Sequence, residues 1–315
     1  MSNTNNLKIY LILLLVPLFW GGAFSTTKHI VEYLSPLSTS FIRFFLAALL
    51  MMAWITIKKE WDFPSIKKNW LLLISCALTG IFSYNFFFAA GLKHISAINA
   101  ALVMVAAPPV TAFIASVFLK EKYNIQTIIG IFLSLIGITT VITKGNLFSF
   151  LAADTIGIGE IYMLISMLSW ATYTTLVKQL ITKNVNSDFI TTFSTFMGSI
   201  FLLIGSFITD GNWFKPQTFE SLPTQVYIEL FYLIVFPTFI AFIIYSWGIK
   251  IIGSIKASSY MNLTPINALW IAALFYGEII SAYQIIGMLI TITGVIITNR
   301  SKVNLLETSK KTYSN

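Results

Sequence analysis

Charges punctuate this chain and leave eight long uncharged runs between them: Ile9–Thr27, Asn69–Leu92, Ile95–Leu119, Tyr123–Thr143, Phe189–Thr209, Leu230–Ile249, Ala257–Gly277 and Ile279–Asn299. Each is near the ~20 residues that a helix needs to cross ~30 Å of hydrocarbon. Two further runs of that length carry a charge. One covers roughly 36–57 and holds Arg43; the other covers roughly 158–177 and holds Glu160 near its start. Ten transmembrane helices are therefore expected. A spanning barrel is excluded, because its signature is ~10-residue segments of alternating hydrophobicity. The first run is longer than the apolar stretch of a typical signal peptide and stays apolar through Trp20-Gly21-Gly22-Ala23-Phe24, so it reads as an uncleaved first span.

Composition agrees. Of 315 residues, 57% are hydrophobic and 10% charged, too few charges to cover a soluble surface and too much apolar area for disorder. A lone cysteine, Cys76, excludes an intramolecular disulfide and a cysteine-based zinc site. Two histidines, His29 and His94, leave little for metal chemistry, so no metal and no cofactor are expected. The class is an all-α membrane protein.

Lysine and arginine set the orientation. With the N-terminus inside, inner segments hold 15 of them, from Lys8 through Lys58, Lys59, Lys120 and Lys178 to Lys311. Outer segments hold 4: Lys28, Lys93, Lys144 and Lys215. Both termini are thus expected in the cytoplasm. The net charge of +8 is explained by anionic lipid headgroups rather than nucleic acid.

The chain also matches itself. At an offset of 157 residues, Gly91 falls on Gly248, Lys93 on Lys250, Ala100 on Ala257, Pro108 on Pro265, Glu121 on Glu278, Gly130 on Gly287 and Gly137 on Gly294. At an offset of 150, Trp20 falls on Trp170, Ser25 on Thr175 and Lys28 on Lys178. Spans 1–5 then resemble spans 6–10. Because five is odd, the halves are inverted in the membrane, as is common in alternating-access transporters with a site at the repeat interface. The expected units are residues 7–143, residues 157–299 and a cytoplasmic tail, 300–315.

The segments Leu18-Phe19-Trp20-Gly21-Gly22, Phe41-Ile42-Arg43-Phe44, Ala100…Pro108…Lys120-Glu121 and Ala257…Pro265…Gly277-Glu278 resemble the paired EamA domains of the drug/metabolite transporter superfamily. The likeness spans roughly residues 9–299. It implies a ten-helix bundle with spans 1–4 and 6–9 around a central cavity, spans 5 and 10 at the periphery, and export or uptake of small metabolites such as amino acids. The halves differ where Phe193 stands in place of Arg43 and Gly277 in place of Lys120, so the cavity is expected to be asymmetric in charge.

Arg43 lies roughly 10 Å along its helix from Pro36. It either lines the cavity and binds a carboxylate or phosphate, or it snorkels and caps carbonyls. Trp20 sits roughly 18 Å of helical rise past Lys8, near the midplane, which an interfacial aromatic belt does not explain. With Trp170 it is read as cavity wall, against packing on Gly21 and Gly22. Tyr84, Asn85, Asn99, Tyr173, Thr174, Tyr260 and Asn262 form a candidate polar lining; singly, each is as well explained by hydrogen bonds between helices. Pro108 and Pro265 are expected to bend their helices, as hinges or as static shape. Glu121 and Glu278 read as turn and cap residues of the 4–5 and 9–10 hairpins. Small-residue stripes at Gly130, Ser134 and Gly137 and at Gly287, Thr291 and Gly294 suit close packing, within one chain or across a homodimer. His29 and His94 read as solvated loop residues on the outer side, with pH sensing the alternative.

Export of a small metabolite across a bacterial cytoplasmic membrane is the expected function, with lipid and substrate as the partners. A receptor or scaffold, or a lipid-modifying enzyme, is the rival. An enzyme would need paired carboxylates, a nucleophile with its base, or metal ligands inside a span, and no acid falls in the middle third of any span by these boundaries. Glu160 and Glu229 lie near outer ends. Coupling to protons is therefore either weak or uses those outer acids.

Overall fold

Among the described residues the uncharged runs are largely helical, and no strand forms. The computed structural model describes residues 11–119, 125–146, 157–211, 219–252 and 260–312. Glu121, Lys120 and Ala257 lie outside these residues, as do the side chains of Pro108 and Asn262.

The helices are α1 (Leu15–Ile30), α2 (Pro36–Lys58), α3 (Phe63–Leu92), α4 (Ala97–Met104), α5 (Ala107–Leu119), α6 (Ile125–Ile142), α7 (Ile158–Thr182) and α8 (Ser187–Asp210). Next comes α9, which runs from Thr224–Leu233 through Ile234–Ile240 into Ala241–Ile252. After it come α10 (Thr264–Tyr276) and α11 (Ala282–Thr312). Their ends follow local chemistry. Ser35, Asp62 and Ser96 each accept a backbone N–H three residues on, at 3.1, 3.2 and 3.0 Å. Pro36 and Pro64 occupy first-turn positions, where the missing N–H costs nothing. Lys59, Gly211 and Gly277 end α2, α8 and α10 at positive φ.

Among the described residues, six helices are long and apolar enough to cross a membrane: Leu11–Ile30, Pro36–Lys58, Phe63–Leu92, Ala97–Ala115, Ser187–Asp210 and Thr224–Tyr245. Ile128–Ile142, Thr264–Tyr276 and Ala282–Ile297 are shorter apolar helices. The 25 residues of α7 have the length, but Glu160, Lys178 and Gln179 make this helix more polar. Six spanning candidates plus shorter helices make this an all-helical, multi-pass membrane protein.

Two interruptions fall beside prolines. Between α4 and α5 the helix opens at Val105–Ala106, and Pro108 is the second residue of α5. A 3-10 turn, Tyr260–Leu263, precedes α10, and Pro265 is that helix's second residue. Each proline thus starts a new helical segment instead of kinking a continuous one, as a ring without an N–H can do in a first turn.

Two π-helical segments were not expected. Ala77–Ser83 interrupts α3 and Ile234–Ile240 interrupts α9. They are 157 residues apart, the offset of the sequence repeat. The first packs on α7 and α8, the second on α1 and α2. In α9 the cause is Pro237, which cannot donate to the Leu233 carbonyl four residues back. In the π turn the Thr238 backbone N–H takes that carbonyl, and Thr238 Oγ1 donates to it as well, at 2.7 Å. In α3, Asn85 Nδ2 serves the Gly80 and Ile81 carbonyls at 3.3 and 2.9 Å.

At the edge, α6 and α11 cross antiparallel along the two small-residue stripes. A Cβ on Gly137 would collide with Thr291 Oγ1 and lie 2.6 Å from the Gly287 carbonyl oxygen; one on Gly294 would collide with Ser134 Oγ and lie 2.5 Å from the Gly130 carbonyl oxygen. The stripes therefore pack within one chain.

Candidate functional site

Arg43 is 9% exposed in mid-α2, and its Nε donates to Thr238 Oγ1 at 2.8 Å. The guanidinium carbon stands 4.8 Å from the Phe44 ring centroid, and Tyr84 and Tyr232 flank the group within electrostatic range. Among the described residues no carboxylate pairs with it. Its hydrogen-bonding link to the protein is thus the hydroxyl that also donates to the Leu233 carbonyl in α9. Burying a guanidinium costs several kcal/mol unless paired, and among the described residues no acid offsets that cost.

Trp20 reaches the same π segment. Its Nε1 donates to the Pro237 carbonyl at 2.8 Å, and its ring lies 5.7 Å from Phe242 and 5.6 Å from Tyr245. Trp170 stands against the other π segment, 5.0 Å from Tyr84 and 5.4 Å from Tyr173. Tyr173 packs on the bare backbone of Gly80, where a Cβ would enter its ring. Trp20, Arg43, Tyr84, Asn85, Trp170 and Tyr173 are therefore gathered around the two π segments. Gly21 and Gly22 do not seat the tryptophans; they let α1 approach Asn267 and Tyr232.

Other candidates stand elsewhere. Asn99 Oδ1 accepts from Gln284 Nε2 at 2.6 Å and ties α4 to α11. Thr174 Oγ1 bonds back to Trp170 O at 3.0 Å and lies 3.3 Å from Thr111 Oγ1. Tyr260 opens the 3-10 turn before α10. Glu278 does act as a cap, though for another helix: its oxygens accept from Ala97 N and Ile98 N at 2.8 and 3.1 Å, at the start of α4. His29 is not in a loop. It lies in the last turn of α1, with Nδ1 2.7 Å from Glu229 Oε2.

A cleft of about 370 Å³ opens between α2, α8 and α9. Met51, Trp54, Lys58, Asp188, Phe242 and Trp247 are among its walls, and none of the expected cavity residues is. It lies toward the Lys58 end of α2, two turns beyond Arg43, and meets the site through Phe242, the neighbour of Trp20. Around Arg43 itself the side chains are packed.

Thr238, Pro237 and Tyr232 were not among the sequence candidates; a proline inside an uncharged run was the available signal. Thr238→Val keeps the shape but leaves Arg43 Nε without a partner and the Leu233 carbonyl with the backbone N–H of the π turn alone. The expected loss is about 1–3 kcal/mol, to be read from thermal unfolding in detergent. Unchanged stability would show that neither group depends on the hydroxyl.

These features define an all-helical, multi-pass membrane protein with a charged group inside the bundle. The chain belongs to the EamA-like transporter family, which it matches over residues 7–143 and 157–300. It is 30% identical over 291 residues to the uncharacterized transporter YyaM of Bacillus subtilis, covering 92% of this chain and 93% of that one. It is also 30% identical over 294 residues to an uncharacterized transporter of Archaeoglobus fulgidus, covering 93% and 98%. A solved structure titled only as a crystal structure of protein shares the fold, with a TM-score of 0.60 at 15% identity over 92% of this chain and 96% of that one.

Proposed function

We propose that the protein moves small carboxylate-bearing metabolites, amino acids or their relatives, across the cytoplasmic membrane of a bacterium by alternating access between two inverted halves of five spans. Export is the direction read from the family likeness. The observation that carries the substrate class is Arg43, buried without an acid beside Tyr84 and Thr238. A planar guanidinium binds carboxylate through paired N–H donors. The inverted repeat draws support from two reciprocities. The π segments at 77–83 and 234–240 share the 157-residue offset and pack on opposite halves. The same offset carries the Gly137–Gly287 contact onto Gly294–Gly130.

The test is uptake of a panel of labelled amino acids by proteoliposomes, against protein-free vesicles. Saturable uptake of at least one carboxylate-bearing compound is expected; none across the panel would remove this reading. Orientation is tested separately, in a background lacking the buried Cys76. Cysteines at Ser65 and Lys183 should be shielded from an impermeant thiol reagent in intact cells, and one at Asn146 should react. Labelling of the first pair from outside would overturn the assigned topology.

A further inference from the structure

The end of the bundle where α1 finishes and α9 begins holds a titratable cluster that substrate binding at Arg43 does not use. Glu229 is 7% exposed. One of its oxygens, Oε2, lies 2.7 Å from His29 Nδ1. The other, Oε1, accepts from Gln225 Nε2 at 3.0 Å and from Tyr276 OH at 3.2 Å. Tyr276 OH also lies 3.2 Å from Thr26 Oγ1. One carboxylate thus knits α1, α9 and α10 together. The His29 side chain remains 21% exposed, which leaves it a path to water.

Three other ionisable groups of this end are engaged elsewhere. Lys28 Nζ donates to Ile95 O at 2.7 Å, Glu278 caps α4, and Asp210 accepts from Ser35 and Ser38. Glu32 is exposed in the turn after α1; Tyr33, also exposed there, turns the edge of its ring to His29 at 5.3 Å. Among the described residues, the titratable groups that face the pair are therefore Tyr276 and Tyr33. Tyr232, one turn on from Glu229, lies within electrostatic range of both Tyr276 and Arg43. The cluster therefore borders the substrate-binding arginine.

We propose that His29 and Glu229 form the proton-binding site of this transporter; the inference rests on the transport reading above. A carboxylate has only acceptors, so Nδ1 is the donor and Nε2 is the atom that takes the proton. Imidazole ordinarily gains its charge between pH 5 and 8. With a neutral imidazole, closing α1, α9 and α10 buries a net negative charge; with imidazolium it buries a neutral pair, which costs less. Closure and protonation therefore favour each other. One proton enters from the water at this end, rides on His29 Nε2 while the end is closed, and returns to water when the helices part. No other bond changes. By sign, lowering the pH through the imidazole range closes this end, and raising it opens the end.

The test uses the full chain in nanodiscs, with Cys76→Ala and a reporter at Ile30→Cys. Ile30 is fully buried between α1 and α9 and reacts with an impermeant maleimide only when they separate. Rates are read between pH 5.5 and 8 relative to an exposed Tyr227→Cys reference, which cancels thiol ionisation. With Glu229 and His29 intact, the referenced rate should fall by up to about tenfold per pH unit on acidification, the limit for one linked proton. Glu229→Gln and His29→Gln should each flatten this dependence. Tyr276→Phe, which loosens the cluster without removing its titrating group, should raise the rate at every pH and keep the slope. A flat profile in the intact pair, or the same slope in all variants, would overturn the proton site. The assay needs no substrate. A flat profile with amino-acid uptake intact rejects the proton site alone. A pH-dependent latch without uptake rejects the transport reading instead.

Discussion

Arg43→Gln is expected to reduce uptake of carboxylate-bearing amino acids by roughly 30-fold or more, because losing one partner of a buried hydrogen-bonded charge pair costs about 2–5 kcal/mol. Its thermal stability should not fall. Without substrate the guanidinium is buried on one hydrogen bond, so removing it also removes a desolvation penalty. The glutamine amide still offers Thr238 Oγ1 a donor. Arg43→Lys keeps the charge and loses the planar fork, and should fall between. Transport and melting temperature measured on the same preparations separate the roles. If both decline together, Arg43 is a structural strut and the carboxylate assignment fails.

Gly137→Leu should cause the largest loss of folded protein. The side chain has no space: a bare Cβ already meets Thr291 Oγ1 and the Gly287 carbonyl. Overpacking of this kind costs typically 1–3 kcal/mol and more where backbone must move. Because the contact is reciprocal, Gly294→Leu should cost about as much. The double variant should cost less than the sum, since separating α6 from α11 relieves both collisions. Fluorescence-detected size exclusion after a heating series reads this directly. Additive losses would mean that the two collisions are relieved independently.

Charge punctuation made most helices legible, because burying unpaired charge in hydrocarbon is costly and boundaries follow it. It misplaced His29. A boundary at Lys28 left the histidine in a loop, yet α1 continues past the lysine, whose ammonium is satisfied by the Ile95 carbonyl. Glu229 was legible only as an acid near a helix end; its partners His29 and Tyr276 come from 200 and 47 residues away. Asn99 and Asn85 illustrate a second limit. A polar residue in an apolar run signals a need for partners and not which ones: Asn99 found Gln284, and Asn85 the carbonyls of a π turn. Of the π segments, Pro237 marked one, whereas Thr79 and Ser83 in the other are too few to set a period. The two tryptophans were legible through the repeat, which put them in equivalent places, although each stands on its own π segment.

Those two segments can be put in the language of machines. A straight α-helix behaves as a stiff shaft, and bends concentrate where its hydrogen-bond ladder is interrupted. Both α3 and α9 are shafts with one compliant coupling along their length, at Ala77–Ser83 and Ile234–Ile240. Each coupling bears on the other half of the chain. Flexure at either coupling therefore reaches helices of the opposite half. Each coupling also carries a side-chain bond to its own carbonyls, from Asn85 in one and Thr238 in the other. One replaceable residue at each coupling thus adds to the stiffness of its shaft.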